Sequence, residues 1–66
     1  MNFSDLESSR THLGVTQRAL CERAGIHYMT YSSIKNGRQI PNVRTLQKLE
    51  QALSAIEQER QERADA

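Results

Sequence analysis

"VTQRALCERAGIHYMTYSSIKNG", residues 15–37, decides how this chain folds. Its first half carries Ala19, Leu20 and Ala24 at helical spacing behind Thr16, whose hydroxyl suits a helix start. Gly25 stops that helix, because glycine takes the left-handed conformation past a helix end at little cost. The second half predicts a further helix from His27 or Tyr28 to Asn36, with Tyr31 and Ile34 one turn apart and Gly37 as its stop. Between Gly25 and Gly37 stand two tyrosines, a methionine and three hydroxyl residues. Packing alone does not call for so many hydrogen-bonding side chains.

Outward from this stretch the helical signals continue. "SDLE" at 4–7 has the form of a capping box, and Phe3, Leu6 and Leu13 fall on one face of a first helix that Gly14 closes. Pro41 keeps "RQIPN" from being helical and leaves Asn42 as the N-cap of a fourth helix. Val43, Leu46, Leu49, Leu53 and Ile56 form its apolar stripe. "SAIE" at 54–57 is a second capping-box pattern that would start a separate fifth helix, yet the spacing of Leu46, Leu49, Leu53 and Ile56 also allows one unbroken helix. Beyond Ile56 the tail "EQERQERADA" is charged all round, so a fraying helix or disorder is expected. Strand signals are absent. The expectation is an all-α bundle of four or five helices, with one domain over 1–53 and a polar C-terminal helix or tail over 54–66.

A chain of 66 residues with 36% apolar content fills one small core and no second. One cysteine, Cys21, excludes an internal disulfide and suits a reducing compartment. No apolar run reaches membrane length, and "MNFSDLESSR" lacks the regions of a signal peptide, so a soluble, cytoplasmic protein is expected. The net charge of +1 conceals a division. Residues 10–48 hold Arg10, Arg18, Arg23, Lys35, Arg38, Arg44 and Lys48 against the single acid Glu22. The ends hold Asp5, Glu7, Glu50, Glu57, Glu59, Glu62 and Asp65 against Arg60 and Arg63. A basic block inside acidic ends is a candidate surface for a polyanion.

The second and third helices are joined by a short turn holding Ile26, with a glycine to permit the bend and an apolar residue to fix the angle. This is helix-turn-helix spacing. Here the chain resembles the Cro/C1-type, XRE-like helix-turn-helix repressors of phages and bacteria. The resemblance spans Leu6 to Leu53 and rests on "VTQRALCERAGI", "YSSIKNG" and "PNVRTLQKLEQAL" in register. It implies a lambda-repressor-like domain in which the third helix enters the major groove and Gln17 bonds a backbone phosphate. It assigns base reading to the exposed face carrying His27, Tyr28, Met29, Ser32 and Ser33, and phosphate contacts to Asn36 and Arg38. Three positions depart from the family pattern: His27 where a serine or threonine cap is usual, Tyr31 in place of an aliphatic residue, and a reading face without Arg, Asn or Gln.

The chemistry of these side chains agrees. Hydroxyls donate to or accept from base edges, Met29 can touch a thymine methyl, and Arg10, Arg38 and Arg44 can neutralise phosphates. Plainer readings stand beside these. Cys21 reads as a small packing residue, Arg18 and Arg23 as solvated helix faces, and the stripe from Leu46 to Ile56 as core before it is interface. His12, Cys21 and His27 lack zinc-like spacing, and no nucleophile, base and acid form a set, so neither metal, cofactor nor enzyme is expected. The expected function is sequence-specific binding of double-stranded DNA by a dimeric repressor of phage or plasmid type on a pseudo-palindromic operator, with no membrane and no small-molecule ligand. Ile40, Leu53 and Ile56 are the candidate dimer contacts. Two alternatives stay open: an antitoxin or restriction-modification controller of the same fold, and a protein-interaction module built on the same scaffold.

Overall fold

The computed structural model describes residues 2–65 as helices α1 (Phe3–Leu13), α2 (Gln17–Ala24), α3 (Tyr28–Lys35) and α4 (Val43–Asp65). No strand occurs among the described residues, so the fold is all-α as the sequence predicts. Two of the expected caps are present. Thr16 Oγ1 accepts from the Ala19 N–H at 3.0 Å, and Asn42 Oδ1 accepts from the Thr45 N–H at 2.7 Å. The first helix starts earlier than "SDLE" predicts. Asn2 is its cap, with Oδ1 accepting from the Asp5 N–H at 2.8 Å. Asparagine caps as well as serine does, and the earlier start brings Phe3 into the helix, where its ring meets that of Tyr31 at 5.1 Å.

α4 does not break at "SAIE", and residues beyond Ile56 stay helical. No glycine or proline lies between Leu49 and Arg60 to interrupt it. Its second half is also tied back to the bundle. Arg23 grips Glu59 through two hydrogen bonds of 3.0 and 2.6 Å, and the Arg60 guanidinium donates to the Leu13 carbonyl at the end of α1. A charged surface that reads as unpartnered in sequence therefore has partners in α1 and α2.

The core joins Leu6, Val15, Leu20, Cys21, Tyr31, Leu49, Ala52 and Leu53, with Phe3, Leu13, Ala24, Ile26 and Ile56 packed against it. Four expected members stand outside this cluster: Ile34, which is buried apart from it, the half-buried Leu46, and the exposed Ala19 and Val43. Ala19 is exposed on α2, while its neighbours Leu20 and Cys21 turn inward. Val43 is 70% exposed, because the first turn of α4 precedes the part that meets the bundle; Ala52 supplies packing in the helix's middle instead. α2 packs on both α3 and α4, and α1 packs on α4. Leu53 is 4% exposed and belongs to this core, which removes it from the candidate dimer contacts.

Candidate nucleic-acid interface

The turn between α2 and α3 is built from backbone geometry. Gly25 has φ +71°, and the Ile26 N–H behind it returns to the Cys21 carbonyl at 2.9 Å. This 6→1 bond closes the end of α2 and aims the chain into α3. A Cβ at Gly25 would meet nothing, so the position requires glycine for its dihedral angle and not for space. Gly37 ends α3 in the same way, with Arg38 N–H bonded to the Ser33 carbonyl at 2.9 Å. α3 is thus a short helix framed by two fixed turns.

His27 occupies the N-cap of α3, where its Nδ1 accepts from the Met29 N–H at 3.1 Å. The family's usual hydroxyl cap is replaced by an imidazole in the same role. With Nδ1 accepting, the proton of the neutral ring sits on Nε2, so one ring nitrogen is committed to the fold and one donor is left for a ligand. The side chains after it are open: Tyr28 is 39% exposed and Met29 63%. Ser32 and Ser33, further along α3, are half-buried, and Asn36 donates to the Ser32 Oγ at 3.4 Å.

Beneath this face Tyr31 is fully buried. Its hydroxyl donates to Glu7 Oε1 on α1, which answers the need for a partner that a buried phenol creates. The same carboxylate accepts from Arg10 Nε at 2.8 Å and from a second guanidinium nitrogen at 3.2 Å. Arg10 also donates to the Val15 carbonyl at 2.7 Å, just ahead of α2. Arg10, expected at a phosphate, is instead held inside the fold by these bonds. Its guanidinium beside Glu7 keeps that carboxyl below its ordinary range, against the opposing effect of partial burial. Burial first, and Glu7 second, push the Tyr31 phenol well above its ordinary value. Burial likewise raises the Cys21 thiol, which agrees with a packing role for that residue.

The remaining expected phosphate contacts lie at the surface. Gln17 opens α2, half-buried, and Arg38 and Arg44 are exposed beyond α3 and in the first turn of α4. Among the described residues neither Arg38 nor Arg44 has an ion-pair partner. Arg18, which reads in sequence as a solvated helix face, has a partner: its guanidinium carbon lies 5.4 Å from the centre of the Tyr28 ring. A basic residue in the first turn of a helix, where the macrodipole disfavours it, was the available signal.

A family model described as helix-turn-helix matches residues 6–61. The chain belongs to that family. The match begins within α1, covers α2 and α3, and ends within α4. It marks the chain as a DNA-binding helix-turn-helix regulator of the Cro/C1 type. Comparison with curated proteins and with solved structures gives no match. Of the departures from the family pattern read in the sequence, the imidazole cap bonds the Met29 N–H and the buried Tyr31 bonds Glu7. No helix among the described residues is long and apolar enough to cross a membrane.

Proposed function

We propose that this helix-turn-helix protein is a dimeric transcriptional repressor, of the phage or plasmid kind, that places α3 of each copy in the major groove of a pseudo-palindromic operator. It binds its partner and does not transform it. The observation that carries the reading is the open first turn of α3, where His27, Tyr28 and Met29 face outward between two rigid glycine turns. An α-helix fits the major groove, where base edges carry sequence information. Backbone N–H groups at the start of α2, with Gln17, Arg38 and Arg44, supply the phosphate contacts that fix register. Tyr28, Met29 and Ser33 read bases, with His27 adding one donor; Asn36 joins the phosphate set. Repression needs only that the site be occupied, which a dimer of such domains can do in the cytoplasm.

Dimerisation supplies the second half-site that a single small interface lacks. Ile40 is 90% exposed and Val43 70%, on either side of Pro41 and Asn42. Together they are the apolar surface a second copy would cover, with Ile56 a half-buried neighbour of the core.

Selection of bound duplexes from a random pool tests the reading, followed by light scattering of the complex. Two chains per palindromic site are expected, and Ile40→Glu should leave one chain per half-site with weaker binding. A selected site placed over a promoter should lower transcription of a reporter. Failure to enrich any sequence would leave the scaffold as a protein-interaction module.

A further inference from the structure

We propose that Arg18 is a positioning residue for base reading: its guanidinium, held over the Tyr28 ring across the α2–α3 turn, sets the direction in which Tyr28 enters the groove. This inference rests on the reading that α3 contacts bases. Arg18 is the second residue of α2, at the positive end of that helix, and the first turn holds no acid to offset it. A cation there works against helix stability. No carboxylate among the described residues pairs with Arg18, whereas Arg10 and Arg23 are each gripped by a glutamate. Its place is therefore not explained by the fold. Its neighbour is the Tyr28 ring, 5.4 Å away.

Tyr28 is the first residue of α3 and is 39% exposed, so the core does not enclose its ring. Its backbone is fixed by the cap at His27 and the glycine turn before it. The Arg18 guanidinium supplies what those restraints do not, an orientation for the side chain. It meets the π-face of the ring, so the phenolic hydroxyl keeps its donor and acceptor for a base edge. A side chain already oriented gives up less freedom on binding, and an exposed cation–π interaction corresponds to about a two- to five-fold gain in an equilibrium.

The experiment is duplex selection from a random pool with the unaltered protein, Arg18→Ala, Arg18→Lys, Tyr28→Ala and the Arg18→Ala/Tyr28→Ala pair, followed by titration on selected and random duplexes. Arg18→Ala should flatten the same base positions as Tyr28→Ala and reduce discrimination by about two- to five-fold. Arg18→Lys should restore part of that discrimination, since an ammonium also favours the ring. The double variant should discriminate no worse than Tyr28→Ala alone, because Arg18 acts through Tyr28. If Arg18→Ala weakens both duplexes equally and its effect adds to that of Tyr28→Ala, it is an independent phosphate contact and the proposal falls. Flattening at different base positions would overturn it too, by making Arg18 a base contact in its own right. If the unaltered protein enriches no sequence, the base-reading function fails first and takes this inference with it. If Tyr28→Ala flattens the selected site and Arg18→Ala does not, this inference alone fails.

Discussion

Two groups of arginines divide the molecule. Arg10, Arg23 and Arg60 are bound within the fold, to Glu7, to Glu59 and to the Leu13 carbonyl. Arg18, Arg38 and Arg44 have no carboxylate partner among the described residues and lie on α2, past α3 and at the start of α4. The acidic ends of the chain fold back onto the basic middle, so that Glu7 and Glu59 neutralise Arg10 and Arg23. The basic block of the sequence thereby has Arg10 and Arg23 neutralised, and Arg18, Arg38 and Arg44 are its arginines without a carboxylate partner among the described residues. One residue type serves as a tie between helices in one group and as candidate ligand-binding group in the other, and the acceptors within reach make the difference.

Substitutions at Glu7 and its partners Arg10 and Tyr31 should destabilise the protein, those at the exposed Arg23–Glu59 pair should do so only slightly, and those in the second group should leave it folded with altered binding. The largest effect is expected at Tyr31, where α1 and α3 meet. Tyr31→Ala should cost about 3–5 kcal/mol, comparable with the whole stability of a small domain. Chemical denaturation followed by circular dichroism checks this, and a cooperative, near-native midpoint would show that Tyr31 is dispensable.

Glu7→Gln comes next. It keeps the shape but weakens the bonds from Arg10 and Tyr31, at a cost of about 1–2 kcal/mol at neutral pH. The Glu7 carboxyl is held below its ordinary value of 4.5 in the fold, chiefly by Arg10. Its contribution is therefore present above that value and disappears as pH falls through the folded one. Wild-type and Glu7→Gln stabilities should converge on acidification; a gap that persists at low pH would show that the charge is not what Glu7 contributes.

Arg38→Ala should change stability little, within about 0.5 kcal/mol. Binding should weaken by similar factors on selected and random duplexes, and the salt slope should fall by about one unit for each phosphate left without its arginine. If discrimination collapses while the slope stays, Arg38 reads bases and the division between reading and holding must be redrawn. The smallest effect is expected at Arg23→Ala, which breaks a solvent-exposed pair with Glu59. The unfolding midpoint should move only slightly and DNA titrations should superimpose on wild type. Abolished binding there would place Arg23 in the second group.

The fold was largely readable because its punctuation is local. Gly14, Gly25, Gly37, Thr16 and Asn42 act through their own backbone or their own first turn, and each ends or starts a helix as the sequence predicts. What escaped the sequence depends on partners far along the chain. Glu7 meets Tyr31 across 24 residues and Arg23 meets Glu59 across 36, and no period or spacing signals such pairs. For the same reason Arg10 reads as a phosphate contact until its partners at Glu7 and Val15 are visible. Leu53 reads as a possible seam residue because one stripe serves equally for a core and for an interface. On the open first turn of α3 the residue types were legible. The Arg18–Tyr28 pairing was not, because it needs the angle that the Gly25 turn sets between two helices.

The long helix α4 carries a consequence in time. Its first half contributes Leu49, Ala52 and Leu53 to the core, while its second half is held by charged surface bonds that reach back to Arg23 and Leu13. Amides beyond Ile56 need only those surface bonds and their own helical bonds to part before they meet solvent. Amides around Leu49 to Leu53 need the whole core to open. One uninterrupted helix therefore contains two exchange clocks. The fast one ticks at the outer end of α4, so the chain can breathe there while α2, the turn and α3 keep their shape.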